Sequence, residues 1–507
     1  MTLAEMVGAR FLIGMPGTAL TPEIVRHFKE LHAGGVIFYR INFVSPEQIR
    51  GLITGLEEAL GRKLLVAVDH EGGRVIMFRE GITVFPDNLA LGQTGKVEYA
   101  RQQGEIEARE LRRLGVDVNL GPVLDVLTQA YSPNIGIRSY GLDWRTVAAL
   151  GTARLTAMQA QGLSACAKHF PGKGHAPVDA HLGLPVIPST WEEMEAVHLK
   201  PFRAAVAAGV DLVMSSHPYY PNLDPTPGLI ATFSRRIVHD YLRGELNFQG
   251  VIASDDLEMG AVKAVCPVGE AAVRAAAAGH DLLLVCHDPG AQKEAYYRLL
   301  EAYQTGELPR RELEASVARL EALKAKRPQR FAPGEPRPEP AGAPLAQKIA
   351  REAVRVVQDP QGLLPLTGRQ LRLTVIFPRF AALADKIMIE AEVMPEEEFV
   401  RREFGRFGFT PAVAVVPIDT PEEDIQGVTR QAAASDLTIL FVYDAHLFPG
   451  QKQLLEAVQR AAPRLIVALL RDPYDAAFIR PEAACLTAFG WRVCQLRAVM
   501  EKMAGEG

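Results

Sequence analysis

The chain has 507 residues, of which 48% are hydrophobic and 23% are charged. Both fractions are typical of a globular protein that can bury large cores. The net charge of −5, without a basic stripe between aromatic side chains, argues against a nucleic-acid partner. No apolar run reaches the roughly 20 residues of a membrane helix, so we expect no contact with a membrane.

The cysteines show neither a CxxC pair nor a zinc-ligand spacing. Three of the five lie in apolar runs, which favours small buried side chains over metal ligands. An odd cysteine count without a disulfide pattern suits a reducing compartment. The first residues also lack the basic and apolar regions of a signal peptide. We therefore expect a cytoplasmic protein.

Residues 1–326 alternate short apolar runs with amphipathic segments. The apolar runs cover 10–14, 35–39, 64–68, 116–120, 164–168, 211–215, 250–254 and 281–285. Their continuous apolar character indicates strands buried on both faces, as in a parallel sheet. Helix-like segments at 99–115 and 192–209 separate some of them. Eight such repeats predict an α/β fold with an N-terminal (β/α)₈ TIM-like barrel.

A stretch rich in proline and charge, residues 327–344, predicts a stiff exposed linker. Beyond it, residues 345–507 begin with a helical stretch that extends to about 358. Strand-like runs follow at 371–377, 412–416, 437–443 and 465–470. Helical segments between them favour a doubly wound α/β/α sandwich. No phosphate-binding glycine motif follows any of these strands, so we predict no nucleotide and no other cofactor.

Ionisable residues follow six of the eight predicted barrel strands. In chain order, these positions are Asp69, Asp125, Lys168, His217, Asp255 and His287. The carboxyl ends of barrel strands meet at one face, where barrel enzymes hold their active sites. Asp256 follows Asp255 directly, and neighbouring side chains on a strand point to opposite sides. The sequence therefore predicts a pocket that at most one of these two carboxylates faces.

Residues 168–188 are too rich in glycine and proline to form a helix. They predict a long loop over the barrel mouth, and such loops are usually functional. Asp179 and His181 lie two residues apart in this loop, so an extended backbone turns both side chains to one side. A carboxylate next to an imidazole fixes its tautomer and favours its charged form. The pair can therefore act as a general acid–base.

Several segments resemble the bacterial β-N-acetylglucosaminidases of glycoside hydrolase family 3. KHFPGKGHAPVDAH resembles the family signature KHFPGHG…DSH, and VDHEGGRV is similar to VDQEGGRV. GPVLDV, NIGIRSYG and GVIASDDLEMGAV match further family segments in the same order. AREAVRVVQDPQGLLPL resembles the start of the second domain of this family. The matches extend from about residue 10 to 370.

The resemblance implies a retaining glycosidase that forms a covalent glycosyl-enzyme. Asp255 would be the nucleophile, and His181, paired with Asp179, would be the acid–base. By the same matching, the residues that hold sugar hydroxyls would be Asp69, Arg138, Lys168, His169 and His217. The implied substrate is a small β-linked N-acetylglucosaminide, and the implied role is the recycling of muropeptide fragments. The resemblance implies neither a metal nor a cofactor.

Three positions differ from the family pattern. The central His of GHG is Lys173, and the central Ser of DSH is Ala180. Met77 stands where the family's N-acetylglucosaminidases usually carry an Arg near the sugar, which leaves the identity of the sugar open.

Three alternative functions remain open from the sequence. A phosphorylase is the nearest, because a histidine acid–base repels an incoming phosphate less than a carboxylate does. A catalytically weak sugar-binding protein is the second, since the loop and residue 77 differ from the family. A metal-dependent barrel enzyme is the third, with Asp69, Glu71, His217 and Asp255 as oxygen and nitrogen ligands.

Overall fold

The computed structural model describes residues 1–129, 132–176, 184–327, 329–367, 371–380 and 395–506. It divides the chain into two compact units. The first comprises residues 1–71, 76–83 and 95–342, and the second comprises 72–75, 84–94 and 343–507.

The first unit is a barrel of eight parallel strands, as the sequence predicts. In chain order they are β1 (Phe11–Ile13), β2 (Gly35–Phe38), β3 (Leu65–Val68), β4 (Val118–Asn119), β5 (Ser164–Phe170), β6 (Leu212–Ser215), β7 (Val251–Ala253) and β8 (Leu283–Val285). Neighbouring strands pair in the order β7-β6-β5-β4-β3-β2-β1-β8. A parallel bridge between Ala253 and Leu282 joins β7 to the start of β8 and nearly closes the sheet.

Helical segments connect these strands. The α-helices of the first unit cover Leu3–Gly8, Pro22–Glu30, Pro46–Leu60, Val97–Arg113, Trp144–Ala160, Trp191–Glu193, Lys200–Ala207, Gly260–Lys263, Val268–Ala278, Pro289–Gln304 and Arg310–Ala325. Two π-helices cover Met194–His198 and Arg236–Glu245. Short 3-10 helices cover Arg40–Asn42, Gly136–Arg138 and Ala231–Phe233. The helix predicted at 99–115 is therefore present, and the one predicted at 192–209 is divided by the first π-helix.

Alternate residues of the strands fill the barrel interior. Leu65 and Ala67 of β3 lie in one buried cluster with Leu212 and Met214 of β6. The residues between them on the strands are buried as well. Both faces of each strand are thus removed from water, which explains why the strands appear in the sequence as continuous apolar runs.

Part of the proline-rich segment belongs to the barrel unit. Arg330 donates hydrogen bonds to Oε2 of Glu57 at 3.1 Å and to the carbonyl of Leu64 at 2.6 Å. Arg327 donates to the carbonyl of Gly162 at 2.8 Å. Leu64 and Gly162 precede β3 and β5, so these arginines lie at the amino-terminal end of the barrel. The predicted domain limits at 326 and 345 stay a prediction.

The second unit contains a six-stranded mixed sheet. Its strands are β9 (Arg355–Gln358), β10 (Leu373–Arg379), β11 (Ala412–Pro417), β12 (Leu437–Val442), β13 (Leu465–Leu469) and β14 (Ala484–Thr487), in the order β11-β10-β12-β13-β14-β9. All neighbours are parallel except β14 and β9. The helices cover Asn88–Thr94, Gly342–Ala353, Glu396–Gly405, Glu422–Ala433, Pro449–Ala461 and Val493–Ala504, with a 3-10 helix at Pro473–Phe478.

Two strands of this sheet differ from the sequence prediction. The helix predicted to reach residue 358 ends at Ala353, and the antiparallel edge strand β9 follows it. The side chains of Val356 and Val357 are exposed, and their β-branching favours a strand over a helix. The sequence analysis also does not predict the buried strand β14, because its segment ACLT holds a single large aliphatic side chain, Leu486.

Candidate active site

The predicted site residues that the structure describes lie at the carboxyl ends of the barrel strands. Asp69 follows β3, Lys168 and His169 lie near the end of β5, His217 follows β6, Asp255 follows β7, and Arg138 ends the 3-10 helix after β4. Because all eight strands are parallel, these ends share one face of the barrel. The fold therefore brings together groups that are far apart in the chain.

Lys168 is the centre of a group of ion pairs. Its ammonium lies 2.6 Å from Oδ1 of Asp69 and 2.6 Å from Oε1 of Glu71. The Lys168 side chain is only 3% exposed, whereas that of Asp69 is 21% exposed. Burial lowers the pKa of Lys168, but the two carboxylates outweigh it and raise that pKa overall. Lys168 is therefore a fixed cation beneath the more accessible Asp69 carboxylate.

Arg138 binds the same Glu71 through two hydrogen bonds. Its Nε and Nη2 each lie 2.8 Å from one oxygen of that carboxylate. Its Nη1 donates to the carbonyl of Asn134 at 2.8 Å. Burial opposes ionisation of Glu71, but Arg138 and Lys168 hold the pKa of this carboxyl well below its usual range. The two-pronged contact fixes the plane of the guanidinium at the barrel mouth.

His169 is oriented by a buried carboxylate. Its Nδ1 lies 2.7 Å from Oδ2 of Asp125, which also accepts the backbone N–H of His169 at 3.2 Å. The other oxygen of Asp125 accepts the backbone N–H of Lys173 at 2.6 Å. Burial raises the pKa of Asp125 to about 6, although Lys173 opposes that shift. Burial, together with Lys173, also lowers the pKa of His169 well below 6.5, so its ring is neutral.

Asp255 has an ionised and partly accessible carboxylate. Its Oδ1 accepts the backbone N–H of Asp256 at 2.9 Å, and its Oδ2 lies 3.7 Å from Nζ of Lys173. Its side chain is 18% exposed, while that of Lys173 is 4% exposed. Burial raises the pKa of Asp255, but Lys173, His217 and Lys168 outweigh it and lower that pKa overall. The group therefore combines access and negative charge, which a carboxylate nucleophile needs.

Asp256 is occupied by neighbouring backbone. Its Oδ1 accepts the N–H groups of Glu258 at 3.1 Å and of Cys286 at 3.2 Å. Its Oδ2 lies 3.3 Å from Nε2 of His287. The two adjacent carboxylates therefore have different tasks: Asp256 joins the loops after β7 and β8, while Asp255 keeps an oxygen near the mouth.

His217 is buried, and both ring nitrogens have partners. Nδ1 lies 2.8 Å from Oγ1 of Thr232, and Nε2 lies 3.0 Å from the backbone carbonyl of Asp256. A carbonyl can only accept, so Nε2 carries a proton. This geometry suits a residue that positions the segment of Asp255 better than one that contacts a sugar.

The predicted acid–base pair, Asp179 and His181, lies outside the described residues, and its role stays a prediction. The site residues that the resemblance implies omit three members of the ionic network: Glu71, Asp125 and Lys173. The strand-end pattern already includes Asp125, and Glu71 lies two residues beyond Asp69 in the segment that follows β3. For Lys173 the signal was its substitution for the family histidine.

Comparisons with known proteins agree with this architecture. The model of the glycosyl hydrolase family 3 N-terminal domain matches residues 5–323. A β-hexosaminidase of Xylella fastidiosa (strain 9a5c) is 38% identical over 282 residues, covering 54% of this chain and 83% of that protein. One from Methylobacillus flagellatus is 34% identical over 305 residues, covering 59% and 86%.

Solved structures extend the similarity beyond the barrel. A family 3 β-N-acetylglucosaminidase from Paenibacillus sp. str. FPU-7 superposes with a TM-score of 0.92 at 31% identity, covering 100% of this chain and 97% of that one. A β-glucoside phosphorylase shares the fold, with a TM-score of 0.83 at 21% identity and coverage of 100% and 93%.

The parallel barrel with ionisable groups at one mouth, followed by a mixed α/β sheet, is the architecture of a glycosidase. The chain belongs to glycosyl hydrolase family 3. Among the described residues, no helix is both long and apolar enough to cross a membrane.

Proposed function

We propose that the chain is a retaining β-N-acetylhexosaminidase that removes terminal β-linked N-acetylglucosamine. The observation that carries this proposal is the carboxylate of Asp255, which is ionised, partly accessible and fixed by the N–H of Asp256 at the end of β7. The names of the relatives at 38% and 34% identity, and of the superposed structure at 31%, support the class of substrate.

In the proposed reaction, Asp255 attacks the anomeric carbon and forms a glycosyl-enzyme, which water then hydrolyses. His181, oriented by Asp179, protonates the leaving oxygen and later removes a proton from the water. Asp69, which reaches the solvent beside the buried Lys168, accepts hydrogen bonds from sugar hydroxyls. Charged groups form the stronger hydrogen bonds to such hydroxyls.

The remaining site residues shape this surface. Arg138 and Lys168 both bind Glu71 and fix the floor on which the sugar lies. His169 is neutral, and Asp125 holds its Nδ1. Its other ring nitrogen, Nε2, can therefore accept a hydrogen bond from a sugar hydroxyl. The same proposal includes a cytoplasmic location and muropeptide fragments as substrates. Five free cysteines, four of them buried, suit such a reducing compartment.

The test is the initial rate of p-nitrophenol release from aryl β-N-acetylglucosaminide and aryl β-glucoside. We expect the wild type to prefer the first substrate and the Asp255→Ala variant to lose activity by at least about 10³-fold. The matched control is Asp240→Ala, which removes an exposed carboxylate of the π-helix Arg236–Glu245 and leaves the rate unchanged. A wild type without activity on either substrate would contradict the proposal.

The same assay in phosphate buffer separates hydrolysis from phosphorolysis. Free sugar as the product supports the hydrolase, whereas sugar 1-phosphate identifies a phosphorylase. Tight binding of the sugar without turnover identifies a binding protein.

A further inference from the structure

Lys173 is a buried cation beside the candidate nucleophile. Its Nζ lies 3.7 Å from Oδ2 of Asp255, and its side chain is 4% exposed. That distance allows strong electrostatic attraction but is too long for a hydrogen bond. Oδ2 is therefore not held by a hydrogen bond from Lys173, while the other oxygen accepts the N–H of Asp256.

Burial lowers the pKa of Lys173, and Asp255 opposes that shift more strongly than Asp125 does. Lys168, the other lysine of the network, is neutralised by Asp69 and Glu71 at 2.6 Å each. Lys173 is instead anchored through its backbone, because its N–H donates to Asp125 at 2.6 Å. The carboxylate of Asp125 fixes the chain, and the side chain of Lys173 extends to Asp255.

We propose that Lys173 is a positioning residue that keeps Asp255 ionised before attack and promotes its departure from the glycosyl-enzyme. This inference rests on the proposed covalent function of Asp255. It assigns a specific task to the lysine that replaces the histidine of the family signature.

The two steps differ in how the charge of Asp255 changes. In the first, an oxygen of Asp255 bonds to the anomeric carbon, and the glycosidic bond breaks. The leaving oxygen takes the electron pair of that bond and a proton from the acid. In the second, a water oxygen bonds to the anomeric carbon, its proton passes to the base, and the bond to Asp255 breaks. The electron pair returns to the carboxylate beside the ammonium. Lys173 exchanges no proton, and it stabilises the charge that the second step restores.

Other titratable groups also face Asp255, so the contribution of Lys173 must be separated from theirs. Lys168 and His217 favour its ionised form, and the carboxylate of Asp69 lies close enough to interact with Asp255 as well. Of these groups, Lys173 lowers the pKa of Asp255 most, against the opposing effect of burial.

The test compares Lys173→Met, which is neutral, with Lys173→Arg, which keeps the charge. In the neutral variant we expect the acid limb of the kcat/KM profile to move up by about 1 to 3 pH units. We also expect kcat and KM to fall together by about tenfold, with a burst of p-nitrophenol, because glycosyl-enzyme accumulates. Lys173→Arg keeps the acid limb of the wild type and shows no burst.

A purely structural role of Lys173 would lower the amount of folded enzyme and leave the acid limb in place. An unshifted acid limb without a burst in Lys173→Met therefore overturns the inference. If that variant does not fold, Lys173→Gln repeats the comparison with a polar side chain.

Failure of the proposed function gives a different result. In that case the wild type neither releases p-nitrophenol nor forms a glycosyl-enzyme at Asp255. If the wild type releases p-nitrophenol and forms the glycosyl-enzyme, and Lys173→Met has the same pH profile as the wild type, only the role of Lys173 is contradicted.

Discussion

Glu71 and Arg138 form a two-pronged ion pair with both hydrogen bonds at 2.8 Å. Glu71 is 1% exposed, and it also lies 2.6 Å from the ammonium of Lys168. One buried carboxylate therefore pairs with two cations at the barrel mouth. Loss of one partner of such a pair usually costs more than the pair contributes, since the others remain buried with their charge.

Glu71→Gln tests this arrangement. We expect the free energy of unfolding to fall by about 3 to 5 kcal/mol at neutral pH, since Arg138 and Lys168 lose their shared carboxylate. The measurement is urea unfolding. The matched control is Glu314→Gln, which breaks an exposed ion pair with Arg310 and costs less than about 0.5 kcal/mol. Equal losses in the two variants would contradict the buried role of Glu71.

Arg138→Lys tests the geometry of the pair at constant charge. A lysine cannot form the paired contact with Glu71, so the floor of the site shifts although its charge stays. We expect kcat/KM on the aryl β-N-acetylglucosaminide to fall by about 100-fold. Arg310→Lys, at an exposed pair, serves as the control and keeps the wild-type rate. A value within twofold of the wild type in Arg138→Lys would show that the paired contact is dispensable.

His280 gives a prediction about stability and pH. Its Nε2 lies 2.8 Å from Oγ of Ser215, its Nδ1 lies 2.9 Å from the carbonyl of Ala275, and burial lowers its pKa to about 3. The unfolded chain binds a proton here below about pH 6.5, while the folded chain does not. The free energy of unfolding therefore decreases as the pH is lowered from about 6.5 to about 3, by about 1.4 kcal/mol per pH unit.

His280→Gln removes this dependence. We expect the gap in unfolding free energy between wild type and variant to shrink by about 2.5 kcal/mol from pH 7 to pH 4.5. Urea unfolding at a series of pH values measures it. A gap that stays constant with pH would mean that His280 titrates alike in the folded and unfolded chain.

Removal of metal ions tests the alternative of a metal-dependent barrel. Among the described residues, the group of three side chains close enough to share an ion is Asp444, His446 and Asp472, which belongs to the second unit. In the barrel, Asp69 and Asp255 have lysine partners. We therefore expect dialysis against a chelator to change the hydrolytic rate by less than about twofold. Loss of activity that a divalent ion restores would refute this expectation.

The sequence predicts the barrel well because its strands are buried on both faces. Runs such as 64–68 and 281–285 are continuous and apolar, and they coincide with β3 and β8 within two residues at each end. The sequence does not predict the edge strand β9, because this strand directly follows a helix and its valine side chains are exposed. Residues close together in the chain set the pattern of buried and exposed side chains. The pairing of β9 with β14 joins segments that are far apart in the chain, so the local pattern does not indicate it.

The site is predictable as a set of positions but not as a set of contacts. A polar residue after a buried strand identifies Asp69, Lys168 and Asp255 as members of one face. It does not tell which cation binds which carboxylate, since Lys168 and Lys173 lie in the same segment and bind different partners. That choice depends on distances of a few ångströms, which only the folded barrel fixes.

The most direct test of the central claim is to trap the covalent intermediate. The enzyme is incubated with an activated 5-fluoro β-N-acetylglucosaminyl substrate, digested, and its peptides are analysed by mass spectrometry. The account predicts one added sugar on the peptide that contains residues 251–259, with fragmentation placing it on Asp255. A sugar on another carboxylate, or turnover without any labelled peptide and with inversion at the anomeric carbon, would contradict it.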